Sequence, residues 1–260
     1  MTSKILYDLD QDVATITLND PGALNALGLE MLEGLRCAIA RAAREARCTI
    51  LTGAGRGFCA GANLTSGGMR PSDPEFDAGL VLDSHYHPVI ESIRNHPHPF
   101  INAVNGVAAG AGCSLALMGD MIFASKEAYF LQAFRRIGLV PDAGSSYLLA
   151  RTIGRVRAME MALMGEKLPA DKALEWGLIN AVVEGTALMD HVKSIAQKLA
   201  TGPTKALAAT RQLVWNAQED VLGDALGGER DAQRDAGRTN DFREGVAAFA
   251  QKRSAQFTGS

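Results

Sequence analysis

"GVAAGAGCSLAL" occupies residues 106–117 and sits directly behind the apolar run "PFINAV" (99–104). A strand-like stretch gives way to five small residues, which lead into an apolar segment with the spacing of a short buried helix. "FCAGANL" (58–64) has the same character behind the strand-like "CTILTG" (48–53). Loops without side chains let a ligand reach the main chain and leave N–H groups free to donate. In the second loop the amides also open a helix, whose dipole favours negative charge. The same glycines also serve tight turns and close helix–sheet packing, and the residues alone leave both uses open.

Neither loop fits a nucleotide fingerprint. Gly110-Ala111-Gly112 is followed by Leu115 where a third glycine belongs, and "GAGRGFCAG" (53–61) lacks the G-K-[ST] ending of a phosphate loop. Upstream, "VATITL" (13–18) alternates as a strand, and Leu29 to Arg47 has helical spacing. The segment 65–78, with Pro71 and Pro74, reads as a mobile surface loop, followed by a helix over 78–94 and a strand at "MIFAS" (121–125). Helical periodicity dominates after Asp142, near 144–152, 155–164, 170–176, 186–200, 203–217, 219–237 and 242–250. Strand–helix units come first and helices afterwards, with no long Ser/Gly/Pro linker. The pattern predicts one α/β unit, with a core over 1–195 and a helical region over 196–260.

The 260 residues suffice for a large core, and a net charge of −3 argues against a nucleic-acid or membrane-surface partner. The four cysteines form no C-x-x-C pair and read as free thiols, three of them buried, in a reducing compartment. The pairs His85/His87 and His96/His98 have no acid or thiol partner at ligand spacing, so no metal site is expected. Acidic residues interrupt the N-terminal stretch where a secretory leader needs an apolar run, and no segment reaches membrane-helix length, which predicts a cytoplasmic protein.

Taken together, "NALG", "GAGRGFCAGANL", "VNGVAAGAGCSLALMGD", "IGLVPDAGSSYLLARTIG" and "EWGLINAVV" resemble, in order, the crotonase (enoyl-CoA hydratase/isomerase) superfamily. The likeness spans about residues 5–257 and looks greatest toward the 1,2-epoxyphenylacetyl-CoA isomerase branch of phenylacetate catabolism. It implies a spiral of β-β-α units with a C-terminal helical trimerisation region, assembled as a homotrimer or homohexamer. It implies an acyl-CoA thioester as substrate, with coenzyme A part of that substrate and no separate cofactor.

Carried over by position, the backbone amides of Ala60 and Ala111 would form an oxyanion hole for the thioester oxygen. Gly61, Ala62, Asn63, Leu64, Gly110 and Phe134 would line the substrate path, and Lys252 would reach coenzyme A on a neighbouring subunit. Where hydratases of this family place two glutamates, the chain has Ser114 and Phe134. Neither is a general base at neutral pH, so efficient hydration is not expected. An acid stands instead at Asp142, where family isomerases place a proton-shuttling aspartate.

From the residues alone, Asp142 reads first as the N-cap of the helix near Gly144, with a base as the second reading. The resemblance favours the base, which predicts an acyl-CoA isomerase that shifts a double bond or rearranges a ring epoxide. The alternatives are an inefficient hydratase and a thioester-binding homologue without turnover.

Overall fold

A computed structural model describes residues 3–64, 73 and 75–260. Residues 65–72 and 74, most of the expected 65–78 loop, lie outside the described residues. The strands are β1 (Ile5–Asp10), β2 (Val13–Leu18), β3 (Cys48–Gly53), β4 (Gly57–Cys59), β5 (Phe100–Val104), β6 (Val107–Ala109), β7 (Met121–Ser125), β8 (Tyr129–Leu131), β9 (Lys167–Pro169) and β10 (Ala181–Val183). The helices are α1 (Leu29–Glu45), α2 (Ala78–Val81), α3 (His87–Arg94), α4 (Ala111–Leu117), α5 (Ser145–Thr152) and α6 (Gly154–Met164). They continue with α7 (Ala170–Glu175), α8 (Leu188–Ala200), α9 (Thr204–Asn216), α10 (Leu222–Ala236) and α11 (Asn240–Gln251).

Two sheets form. One has the order β1-β2-β3-β5-β7-β10, the other β4-β6-β8-β9. Successive turns of chain, β3–β4, β5–β6 and β7–β8, each give one strand to each sheet, and every joint inside these series is parallel. The chain therefore winds as a spiral, and each turn crosses from the long sheet to the short one. The antiparallel pairs β1/β2 and β8/β9 close its ends.

The long sheet is covered on both faces. Within β3, Leu51 belongs to the core cluster that includes residues of α1 and α4, whereas Cys48 and Ile50 belong to the one that includes Leu188, Val192 and Ala196 of α8. A doubly covered parallel strand needs apolar residues on both faces, as "CTILTG" supplies. Helix α9 is tied on by Arg211, whose Nε donates to Asp120 at 2.7 Å while its Nη atoms donate to the carbonyls of Ile93, Arg94 and His96.

The β3-to-β4 corner brings the first small-residue loop into position, and Asn25 holds that corner. Its Nδ2 donates to the carbonyls of Ala54 (3.0 Å) and Gly57 (2.8 Å), and its Oδ1 accepts from the Asp20 amide (2.8 Å). The side chain is fully buried, so truncation strands three backbone groups. We expect Asn25→Ala to lower stability by about 2 kcal/mol, read as a fall in the urea midpoint at constant m-value.

Candidate active site

The two small-residue loops lie side by side. Gly61 has φ +97°, and a Cβ there would sit 2.7 Å from the Ala109 carbonyl oxygen and 3.6 Å from the Ala111 nitrogen. Only glycine satisfies both the backbone angle and the close approach. Gly112 is pressed against the other end of the same loop, since a Cβ there would lie 2.3 Å from the Cys59 carbonyl oxygen. These two glycines hold residues 59–62 against the first turn of α4.

The backbone hydrogen bonds decide which amides are available. The Ala60 N–H donates to the Leu24 carbonyl at 2.9 Å, so the expectation that it faces a substrate oxygen is corrected. Ala62 pairs with Leu27 in a parallel bridge, in which Leu27 N–H donates to Gly61 O (2.7 Å) and Asn63 N–H donates to Leu27 O (3.0 Å). That register turns the N–H of Ala62 itself away from Leu27. Among the described residues it has no partner. The Ala111 N–H opens α4 and is likewise unpaired, while Gly110 N–H is committed to Leu131 O at 2.8 Å. Two uncommitted amides, at 62 and 111, thus flank the Gly61 contact.

Asp142 does not cap a helix. Helix α5 starts at Ser145 behind Gly144, which sits at φ +83°, and no side-chain cap bond is made. Ala143 is also left-handed, at φ +48°, a backbone angle that is unfavourable for a residue with a Cβ. Oδ1 of Asp142 is shut off from solvent without a hydrogen-bond partner among the described residues. Burial pushes this carboxyl up from 3.8 to about 6, with the His87 charge acting weakly the other way.

The rest of the site assembles around that carboxyl. The Ser114 hydroxyl donates to the Asp142 carbonyl at 2.9 Å, which fastens the first turn of α4 to the aspartate. A Cβ at Gly144 would meet Ile90 of α3 at 3.9 Å, so α3 packs on the same turn. Tyr86 lies one helical turn before Ile90, in a π-helical stretch over Leu82–Tyr86, and its hydroxyl donates to Leu27 O at 3.2 Å. Burial raises its phenol, and the Asp142 and Cys59 charges add to the rise. Tyr86 therefore spans from the Leu27 bridge that holds Ala62 toward Asp142. Phe134 is buried in a 3-10 turn over Phe134–Ile137, its Cζ 4.0 Å from where a Cβ on Gly110 would be.

The structure thus gathers Ala62, Gly61, Gly110, Ala111, Phe134 and Asp142. Leu64 is exposed just beyond, and Asn63 is held to Leu27. Lys252 ends α11 in a left-handed cap, exposed, and no hydrogen bond or ion pair joins it to this cluster among the described residues. Sequence reasoning missed Tyr86 and Leu27. A tyrosine in a helix-like segment and a leucine in a turn carry no mark of the bridge they share. Among the described residues no group of three or more His, Cys, Asp or Glu comes together as a metal would need. The four cysteines are free, with Cys48, Cys59 and Cys113 buried and Cys37 exposed.

Two donor amides beside an unpaired carboxylate are the parts needed to remove a proton next to a carbonyl and hold the resulting charge. Comparison with known proteins gives the same direction: residues 8–260 match the enoyl-CoA hydratase/isomerase family. The chain belongs to that family. Its spiral is the crotonase fold, superposing at a TM-score of 0.91 on a putative enoyl-CoA hydratase/isomerase from Mycobacterium abscessus, 34% identical over 98% of this chain and 100% of that one.

Among curated relatives in the family, the 1,2-epoxyphenylacetyl-CoA isomerase of Escherichia coli is 45% identical over 100% of both chains. A probable enoyl-CoA hydratase of Rhodobacter capsulatus is 42% identical over 98% of each. The chain is therefore an enzyme of the crotonase family, a family that acts on acyl-CoA thioesters, with isomerase and hydratase relatives both near. No described helix is long and apolar enough to cross a membrane.

Proposed function

We propose that the protein is an acyl-CoA isomerase in which Asp142 moves a proton between two carbons of the acyl chain. The amides of Ala62 and Ala111 hold the thioester oxygen meanwhile. The observation that carries this reading is the Asp142 carboxyl: partly buried with Oδ1 shut off from solvent, uncapped and, among the described residues, unpaired, with its ionisation moved to about 6. A structural aspartate would have a partner, and a shuttle must give its proton back, which a pKa near neutrality favours.

For a 3-enoyl thioester the steps balance as follows. Asp142 takes a proton from C2, and the C–H electron pair passes through the carbonyl onto the thioester oxygen as an enolate. The oxygen's charge is stabilised by the two amides and by the start of α4. Collapse of the enolate forms the C2=C3 bond, the former C3=C4 pair takes the proton back from Asp142 at C4, and the carboxylate is restored. For a ring-epoxide thioester, by analogy with the E. coli relative, the same pocket would open the epoxide into an expanded oxygen-containing ring.

Isomerisation is favoured over hydration because nothing on α4 or at 134 can activate water. Ser114 spends its proton on the Asp142 carbonyl, and Phe134 is apolar. A homotrimer or homohexamer, and a cytoplasmic location, belong to the same proposal. Exposed apolar side chains on α6 (Val156, Met159, Leu163) and on α11 (Phe242, Val246, Phe249) are consistent with such an assembly. Lys252 would then act on coenzyme A from a neighbouring chain.

The experiment is the pH dependence of kcat/KM for conversion of a 3-enoyl thioester to its 2-enoyl isomer. The carboxylate is the active form, so the rate should rise about tenfold per pH unit below about 6 and level off above it. A flat profile from pH 5 to 8 would remove Asp142 as the base.

A further inference from the structure

Cys113, Ser114, Gln132 and Ser145 are all fully buried, and they form a closed polar ring. Gln132 Nε2 donates to Cys113 Sγ at 3.4 Å, and Ser145 Oγ donates to Gln132 Oε1 at 3.2 Å. The Ser145 amide donates to the Asp142 carbonyl at 3.0 Å, and Ser114 Oγ donates to that same carbonyl at 2.9 Å. Cys113 and Ser114 are neighbours on α4, so the ring closes. It joins the helix that begins with the Ala111 amide to the turn that carries Asp142. No other polar contact between α4 and residues 142–145 is present among the described residues.

The placement is unusual for a structural serine. A helical serine most often turns its hydroxyl back to the carbonyl four residues earlier. Here that acceptor, Gly110 O, lies at 3.4 Å, while the Asp142 carbonyl is closer at 2.9 Å. The single hydroxyl proton thus bridges from the oxyanion helix to the main chain of the aspartate. It braces a turn whose next residue, Ala143, is held in the left-handed region against its Cβ.

We infer that Ser114 is a positioning residue that sets where the Asp142 carboxylate stands relative to the Ala111 amide, and so which acyl carbons it reaches. A proton shuttle has a stricter requirement than a simple base. It must reach both the carbon that loses the proton and the one that receives it, two bonds further along the chain, without the thioester oxygen leaving its donors. An error on the order of 1 Å suffices to cost such a transfer up to about a hundredfold. The inference rests on the proposed role of Asp142, and the experiment separates the two.

Ser114→Ala and Ser114→Thr would be compared with the unaltered protein and with Asp142→Asn in two assays, each scaled to folded protein by circular dichroism. One follows conversion of a 3-enoyl thioester to the conjugated isomer. The other follows loss of deuterium from C2 of a saturated acyl-CoA, in which Asp142 takes the deuteron, the acid exchanges it with a solvent proton, and that proton returns to the same carbon. For Ser114→Ala we expect kcat for isomerisation to fall about tenfold with KM within about twofold, while C2 exchange falls less than about threefold. Ser114→Thr, which keeps the hydroxyl, should recover most of the isomerisation rate.

A merely structural serine predicts instead a lower melting temperature, with both rates per folded molecule unchanged or lowered in proportion. Either result overturns the inference. Full isomerisation by Asp142→Asn would overturn the proposed function itself. A dead Asp142→Asn beside a normal Ser114→Ala would overturn only the role given to Ser114.

Discussion

Asp142→Asn should lose about a thousandfold in isomerisation kcat and at the same time become more stable at neutral pH. The loss follows from the proposed role of the carboxylate, since the amide is nearly isosteric but neither takes nor returns a proton. The gain follows from linkage. Burial raises the carboxyl from 3.8 in the unfolded chain to about 6 in the folded one. Between those values the folded state binds the extra proton, so this group favours folding below about 3.8 and loses that contribution as pH rises through about 6.

At pH 7.5 the ionised, unpaired carboxylate therefore costs about 2–3 kcal/mol, and removing its charge recovers much of that. For a chain of this size the gain corresponds to a rise of a few degrees in melting temperature, about 2–4 °C per kcal/mol. Repeating the melts near pH 4 should erase the difference, because the carboxyl is then mostly neutral in the folded protein. An Asn variant that is less stable than the parent at pH 7.5 would mean that the carboxylate has a structural partner after all.

Ala111→Pro should lower kcat by about 10²–10³-fold while leaving the fold intact. Proline at this position deletes the N–H without breaking a hydrogen bond of the helix. Ala111 is the first residue of α4, its amide has no intrahelical partner, and the first helical position is where proline is best accepted. The preceding residue is Gly110, so the clash between a proline ring and the previous Cβ does not arise. The ring carbon also occupies the space into which the amide points, so the thioester oxygen is both unsupported and crowded. Far-UV circular dichroism and the urea midpoint should change little, by about 1 kcal/mol at most. Retention of more than a tenth of the parent kcat would exclude the Ala111 amide as a donor.

Asp142 and the Ala111 amide are unequally visible in the sequence. Asp142 is a titratable side chain at a break between an apolar run and a helix, and its chemistry alone makes it stand out. The sequence does not separate cap from base, because both need an acid a residue or two ahead of a helix. The left-handed Ala143–Gly144 pair makes Gly144 the cap and leaves the carboxylate free.

The proposed oxyanion donors are harder, because a backbone amide has no side-chain signature. In "FCAGANL" every residue from 59 to 62 is small, and the choice between Ala60 and Ala62 depends on register. The Leu24 carbonyl takes the first amide, and the Leu27 bridge turns the second outward.

The fold shows the same division. Helices such as α1, α8 and α9 are legible from their periodicity, and β2, β3, β5 and β7 from their alternation or continuous apolar runs. The strands β4, β6, β8, β9 and β10 have three residues each, too few for any period to show, and all but β10 build the second sheet. β1 is hidden for another reason. It is an edge strand whose Leu6 and Leu9 are exposed beside Asp8 and Asp10, so its pattern does not read as a buried face.

On the proposed function, the site moves a proton within an acyl thioester and adds no water. The most direct measurement follows a 3-enoyl-CoA incubated with the purified protein, by the absorbance of the conjugated thioester and by chromatography of the products. Conjugation should rise to a plateau and the 2-enoyl thioester should persist, with no 3-hydroxyacyl product beyond the uncatalysed background. No rise in conjugation, or a rise that decays as a 3-hydroxyacyl thioester accumulates, would contradict that role.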